Sequence, residues 1–234
     1  MNPRSMLIMC LVIFVPLACY FVLKHYSDSA VAMPRHYIAD TVVEVTDHGK
    51  THFDTVWHVI PDFTLTNQLG KEVSLRDVPR KIVVADFFFT HCPSFCPTLT
   101  RNMRRLQELF RSNDTLVQFV SFSVDPVRDS VPVLKEYADR FGVQHNNWWM
   151  LTGNRDSIYT LAERDFKVAA VDSGHQNFVH TDRLILLDKD RFVRGYYNGE
   201  DTMDVARLAK DIVLLGLERH KGEKSNILKP QNEE

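Results

Sequence analysis

The chain has 234 residues, with 28 Lys and Arg against 30 Asp and Glu, and a net charge of −2. Hydrophobic residues at 44% and charged residues at 25% describe a globular protein and exclude a mainly disordered one. Near-neutral charge supplies no basic field, so nucleic acid is not an expected partner; nine glycines exclude a collagenous chain, and four cysteines are too few for a disulfide scaffold.

The first predicted element is a membrane anchor. Residues 6–23 carry no charge, and Arg4 precedes them while Lys24 and His25 follow. That length is close to the roughly 20 residues a bilayer core requires. The apolar run continues beyond the small residues Ala18 and Cys19, which favours an uncleaved anchor over a cleaved signal peptide. Pro16-Leu17-Ala18-Cys19 is faintly similar to a bacterial lipoprotein site, although Pro16 and the apolar residues after Cys19 argue against lipidation. Cys10 and Cys19 then fill the span, and Pro16 is a tolerated kink. Arg4 and the α-amino group weakly favour an N-terminus inside and the rest of the chain outside the cytoplasm.

The remainder divides into a short flank (1–5), a polar linker (24–57) with one strand at 41–46, a domain (58–218) and a charged tail (219–234). The run 82–89, rich in β-branched and aromatic residues, predicts a strand buried on both faces. Leu99, Met103, Leu106 and Phe110 then fall at helical spacing. Residues 116–124 form a second buried strand. Asp129 can cap a helix running to about residue 140, with Gly142 beyond its end. A short strand at 149–152 and a helix at 154–163 follow. Strands at 183–187 and 192–197 flank a tight turn at 188–190. Val205, Leu208, Ile212 and Leu215 define the last helix, with Gly216 as its stop. The order β-α-β-α-β-α-β-β-α predicts an α/β, thioredoxin-like fold: a mixed central sheet flanked by helices, after an N-terminal transmembrane helix.

The chemistry concentrates at Thr90-His91-Cys92-Pro93-Ser94-Phe95-Cys96-Pro97, where a buried strand gives way to a helix. A cysteine near a helix N-terminus is biased towards thiolate, the form that attacks disulfides and binds metals. Four-residue spacing would place both sulfurs on one face of the first helical turn, where they can form a reversible disulfide. Two inert buried cysteines are the bland alternative. Zinc would want a second ligand pair, and no cysteine follows Cys96. A dithiol exchanger remains open, although thioredoxin-type exchange uses two intervening residues and here there are three. A soft, low-coordinate metal fits better: thiolates select Cu(I), and an imidazole suits Cu(II). The candidate nitrogen is His180, just before the strand at 183–187, in a region without the proline that thioredoxins place there. His91 reads as a partly exposed neighbour of Cys92, with a fourth ligand or a lowered Cys92 pKa as the alternative, and His175 as solvent-facing, with weak transient metal binding as the alternative. Asp125-Pro126 reads as a turn at the rim, residues 87–89 as core, and Trp148 and Trp149 as one core and one surface residue.

The chain resembles the Sco/SenC family of membrane-anchored thioredoxin-like copper proteins. The resemblance rests on His58-x-Ile60-Pro61-Asp62-Phe63, Gln68-x-Gly70, the Cys92-Pro93-x-x-Cys96-Pro97 block, Ser123-Val124-Asp125-Pro126-x-x-Asp129, Leu151-Thr152-Gly153 and Phe178-x-His180. It implies a copper ion, Cu(I) or Cu(II), bound by Cys92, Cys96 and His180. It also implies a metallochaperone that delivers copper to the binuclear copper site of cytochrome c oxidase. Implied partners are the copper-site subunit of that oxidase and another copper carrier or thiol oxidoreductase, on the periplasmic face of a bacterial inner membrane. A thiol–disulfide reductase acting through Cys92 and Cys96, which keeps a partner's copper-ligand cysteines reduced, is the alternative; a peroxiredoxin-like peroxidase is a third. One departure is Val179, where many members carry an aspartate, so Asp182 becomes a candidate orienting partner for His180.

Overall fold

The computed structural model describes residues 3–28, 33–47, 50–168 and 181–218. The chain forms two units, 1–33 and 34–234. The first is one helix, α1 (Pro3–Asp28), with Pro16 inside it. Its side chains are described at residues 3, 4 and 12–22, all of them exposed. Among the described residues no helix is long and apolar enough to cross a membrane, and of the predicted 6–23 span the side chains of 6–11 and 23 are not described.

The second unit opens with an antiparallel hairpin, β1 (Ala39–Asp47) and β2 (Lys50–Trp57), in which Val43 faces Asp54 and Val45 faces His52. The strand expected at 41–46 falls inside β1. Its partner was not anticipated, because β2 is exposed along most of its length and so lacks the alternation that burial of one face imposes.

The main sheet has seven strands: β3 (Leu65–Asn67), β4 (Glu72–Val73), β5 (Ile82–Phe88), β6 (Val117–Ser123), β7 (Trp148–Thr152), β8 (Arg183–Leu187) and β9 (Val193–Asn198). Their order is β4-β3-β7-β6-β5-β8-β9. The central trio β7, β6 and β5 is parallel, while β3–β4 and β8–β9 add antiparallel borders. The helices are α2 (Cys96–Leu109), α3 (Val131–Arg140), α4 (Arg155–Thr160), which runs into a π-helical turn at Leu161–Asp165, and α5 (Thr202–Leu217).

Period-two alternation divides β5 between two cores. Ile82, Val84 and Phe88 pack with Leu99 and Met103 of α2, Leu134 of α3 and Leu208 of α5. Val83, Ala85 and Phe87 pack on the other face with Ile60, Phe63, Ile158 and Phe166. The expected mixed sheet covered by helices is therefore present, and both faces of the central strands are buried.

Three local expectations change. Trp148 and Trp149 are both buried, since successive residues of β7 point into opposite cores. The cap of α3 is Ser130 rather than Asp129. Gly216 lies within α5 rather than beyond it.

Candidate dithiol metal centre

β5 ends at Phe88 and α2 begins at Cys96, so Cys92 sits in the turn before the helix rather than on its first turn. The Cys92 amide donates to Phe89 O at 3.3 Å, which closes that turn. Phe95 occupies the cap position of α2 and offers no side-chain acceptor. The amides of Ser94 and Cys96 donate instead to the Cys92 sulfur. A sulfur in this position does the work of a capping oxygen, and the helix dipole favours its ionised form.

Both cysteines are free and buried, Cys92 at 7% and Cys96 at 0% exposure, and their thiols hydrogen-bond each other. They hold protons with unequal strength. Burial raises the Cys92 pKa, but donation from Cys96, the Ser94 and Cys96 amides and the Ser94 hydroxyl outweighs it and leaves the group below the ordinary thiol value. Burial, then the neighbouring Cys92, push the Cys96 thiol far up. The chemistry of this donor set, two soft sulfurs facing each other, one of them with its pKa lowered, suits Cu(I).

Beneath Cys96 lies Asp86, on the α2 face of β5 and opposite Ser121 in the β5–β6 register. Burial pushes its carboxyl up to about 7, while a hydrogen bond from the Ser121 hydroxyl pulls the other way. Ser121 Oγ in turn accepts from Trp148 Nε1 at 2.9 Å. Among the described residues Asp86 Oδ1 has no partner. A carboxyl interrupting an otherwise apolar run was the available sequence signal for this group, and the strand reading passed over it.

The rim turn at Asp125-Pro126 is present: the Arg128 and Asp129 amides donate to Asp125 O at 3.1 and 2.9 Å, and Arg128 pairs with the Asp125 carboxylate. His91 is exposed, as expected, with its Nδ1 2.9 Å from Thr90 Oγ1.

His180 lies outside the described residues, with His175, Phe178 and Val179. Among the described residues no group of three or more His, Cys, Asp or Glu side chains could hold a metal ion. The chain resumes at Thr181 beside α2: Gly199 N donates to Asp182 O at 2.7 Å, and Asn102 Nδ2 of α2 donates to Gly199 O at 2.6 Å. Asp182 itself pairs with Arg183 at 3.3 Å.

The chain matches the SCO1/SenC family model over residues 54–215. A SCO1/SenC family lipoprotein from Bacillus anthracis is 32% identical, with a TM-score of 0.62 over 68% of this chain and 95% of that one. BsSco, described as a Sco family cytochrome c oxidase assembly protein with a disulfide switch, is 30% identical, with a TM-score of 0.62 over 71% of this chain and 98% of that one. Bradyrhizobium japonicum ScoI with copper bound is 26% identical, with a TM-score of 0.54 over 65% of this chain and 98% of that one. These likenesses bear out the thioredoxin-like fold expected from the element order. By its fold, its motif block and its matched length, the chain belongs to the SCO1/SenC family.

Proposed function

We propose that this chain is a copper metallochaperone that carries the ion as cargo on Cys92, Cys96 and His180 and delivers it to the binuclear copper site of cytochrome c oxidase. The observation that carries the reading is the pair of mutually hydrogen-bonded thiols at the start of α2, with two backbone amides directed at Cys92. The copper held by the Bradyrhizobium relative and the assembly role of BsSco support it. His180 is supported by topology. β8 runs antiparallel to β5, so its first residue, Arg183, lies towards the end of β5 from which the Cys92 turn leaves. The copper-site subunit of the oxidase is the proposed recipient. A second copper carrier or thiol oxidoreductase would load or reduce the chaperone.

In the same reading residues 6–23 anchor the chain, 24–57, whose later part folds as the β1–β2 hairpin of the second unit, lead into the domain, and 58–218 work on the periplasmic face of an inner membrane, with 219–234 as a charged tail. The description of the Bacillus anthracis relative as a lipoprotein supports a membrane location, though not this helical mode of attachment. N-terminal sequencing of the mature protein tests it: a start at Cys19 or near Tyr26 overturns the anchor.

A second reading, thiol–disulfide reductase towards the partner's copper-ligand cysteines, is favoured by the proton asymmetry of Cys92 and Cys96. Attack by the more acidic thiol and closure by the other is the order such exchange requires. Copper titration of the reduced full chain in detergent decides between them. One tightly held copper per chain, lost in Cys92→Ala and Cys96→Ala, supports the chaperone. Turnover of a disulfide substrate without copper retention supports the reductase.

A further inference from the structure

We propose that Asp129 is a positioning residue for the dithiol: it fixes the turn that carries Cys92 by clamping Thr90. The inference rests on Cys92 and Cys96 being the working thiols.

The Asp129 side chain is fully buried and accepts three hydrogen bonds, from Thr90 N at 3.1 Å, Thr90 Oγ1 at 2.5 Å and Ser123 Oγ at 2.5 Å. Two of the three donors belong to the residue two places before Cys92. The third is the last residue of β6. A buried carboxylate is tolerated only where donors replace the lost water, and here they do. The Asp129 amide is itself held by Asp125 O. The carboxylate therefore joins the end of β6 to the start of the cysteine turn by charge-assisted bonds.

The consequence reaches the sulfur in two steps. Thr90 lies inside the Phe89–Cys92 turn closed by the Cys92 amide. That turn sets where the Cys92 sulfur meets the amides of Ser94 and Cys96. Because the Thr90 hydroxyl spends its only proton on Asp129, His91 Nδ1 must donate to Thr90 Oγ1, which orders the His91 ring as well. Pro93 and Ser94, further along, are exposed, and Ser94 ties only to the Cys92 sulfur itself, not to the sheet.

The test uses the reduced full chain in detergent, in the variants Thr90→Val, Thr90→Ser, Ser123→Ala and Asp129→Asn. Three quantities are measured: the rate at which iodoacetamide alkylates Cys92, the Cu(II) absorption and paramagnetic-resonance spectra, and the melting temperature. Thr90→Val keeps the β-branched shape but removes the hydroxyl donor. It is expected to be alkylated roughly fivefold more slowly, the factor that one net hydrogen bond supplies, because the sulfur loses its placement against the Ser94 and Cys96 amides, and to change the Cu(II) spectrum. Thr90→Ser should restore both. Ser123→Ala should lower the melting temperature while leaving alkylation and spectrum at the parent's values, because it loosens the clamp from the sheet side only. Parent-like alkylation and spectra in Thr90→Val overturn the proposal, whatever its stability and whether or not Asp129→Asn folds. A parent that binds no copper overturns the chaperone reading, and the alkylation rates then decide the role of Asp129 alone.

Discussion

Cys92 and Cys96 share a hydrogen bond, yet only Cys92 receives the free amides at the entry to α2, and its pKa falls while that of Cys96 rises. The pair is thus unequal: both sulfurs are buried, Cys96 completely, and they hold their protons with different strength. Reduced protein treated with substoichiometric iodoacetamide near neutral pH should be labelled at Cys92 before Cys96, read by peptide mass spectrometry. Preferential labelling of Cys96 would contradict the geometry. After mild oxidation the two should form an intramolecular disulfide, and copper uptake should then require a reductant, because a disulfide sulfur is a poor ligand. Equal uptake by the oxidised and reduced protein would count against that.

His180→Ala separates the two functional readings. Two thiolates hold Cu(I) in linear geometry without help, whereas Cu(II) prefers additional nitrogen ligands. The variant should retain Cu(I), lose most Cu(II) affinity and keep its dithiol exchange. A cell carrying it should lose oxidase assembly if copper transfer is the task and keep it if reduction is. Cu(II) spectra and affinity identical to the parent's would remove His180 from the site.

Asp86 makes stability depend on pH. Its carboxyl titrates near 7 in the folded protein, against an ordinary 3.8. Between those values the folded chain binds more protons than the unfolded one, so stability falls as pH rises, and the full cost is present above about 7. Asp86→Asn removes the titration. The variant should gain on the parent between pH 4 and pH 7, by up to about 4 kcal/mol on the scale of roughly 1.4 kcal/mol per unit, as read by urea unfolding. A constant difference between the two proteins across that window would refute the buried, neutral carboxyl.

Gly199 meets α2 with no room to spare. A Cβ there would lie 2.8 Å from Leu99 Cγ and 2.9 Å from Leu99 Cδ1. Gly199→Ala should cost about 1–3 kcal/mol by overpacking. Adding Leu99→Ala should recover part of the loss, a coupling measurable in a double-mutant cycle. Strictly additive effects would mean that the two do not share this contact.

The core of the domain was legible because β5 and β6 are buried on both faces and leave continuous apolar runs, while α2 shows its buried stripe at Leu99, Met103 and Leu106. The cysteine pair was legible because its position at the strand-to-helix junction has direct chemical meaning. The β1–β2 ribbon was only half legible, since exposed strands carry no burial period. Asp129 reads as a helix cap from its place before an apolar helix; its use as an acceptor for Thr90 depends on two connections 39 residues apart in sequence meeting at the ends of the central strands β5 and β6. The inequality of Cys92 and Cys96 was hidden for a similar reason. It arises from burial, which raises Cys96 most, and from the Ser94 and Cys96 amides that reach Cys92, both of which depend on how the turn and α2 pack.

The parallel pairing of β5 with β6 ends at Phe88 and Ser123, and the antiparallel β8 starts at that same border. The Cys92 turn, the Asp129 turn and the approach to β8 all therefore lie past the last rung of the ladder. Cys92 and Cys96 can change between thiols and a disulfide without breaking a single inter-strand hydrogen bond. The cysteine chemistry is in this sense carried on the lip of the sheet, and the strands beneath need not rearrange for it.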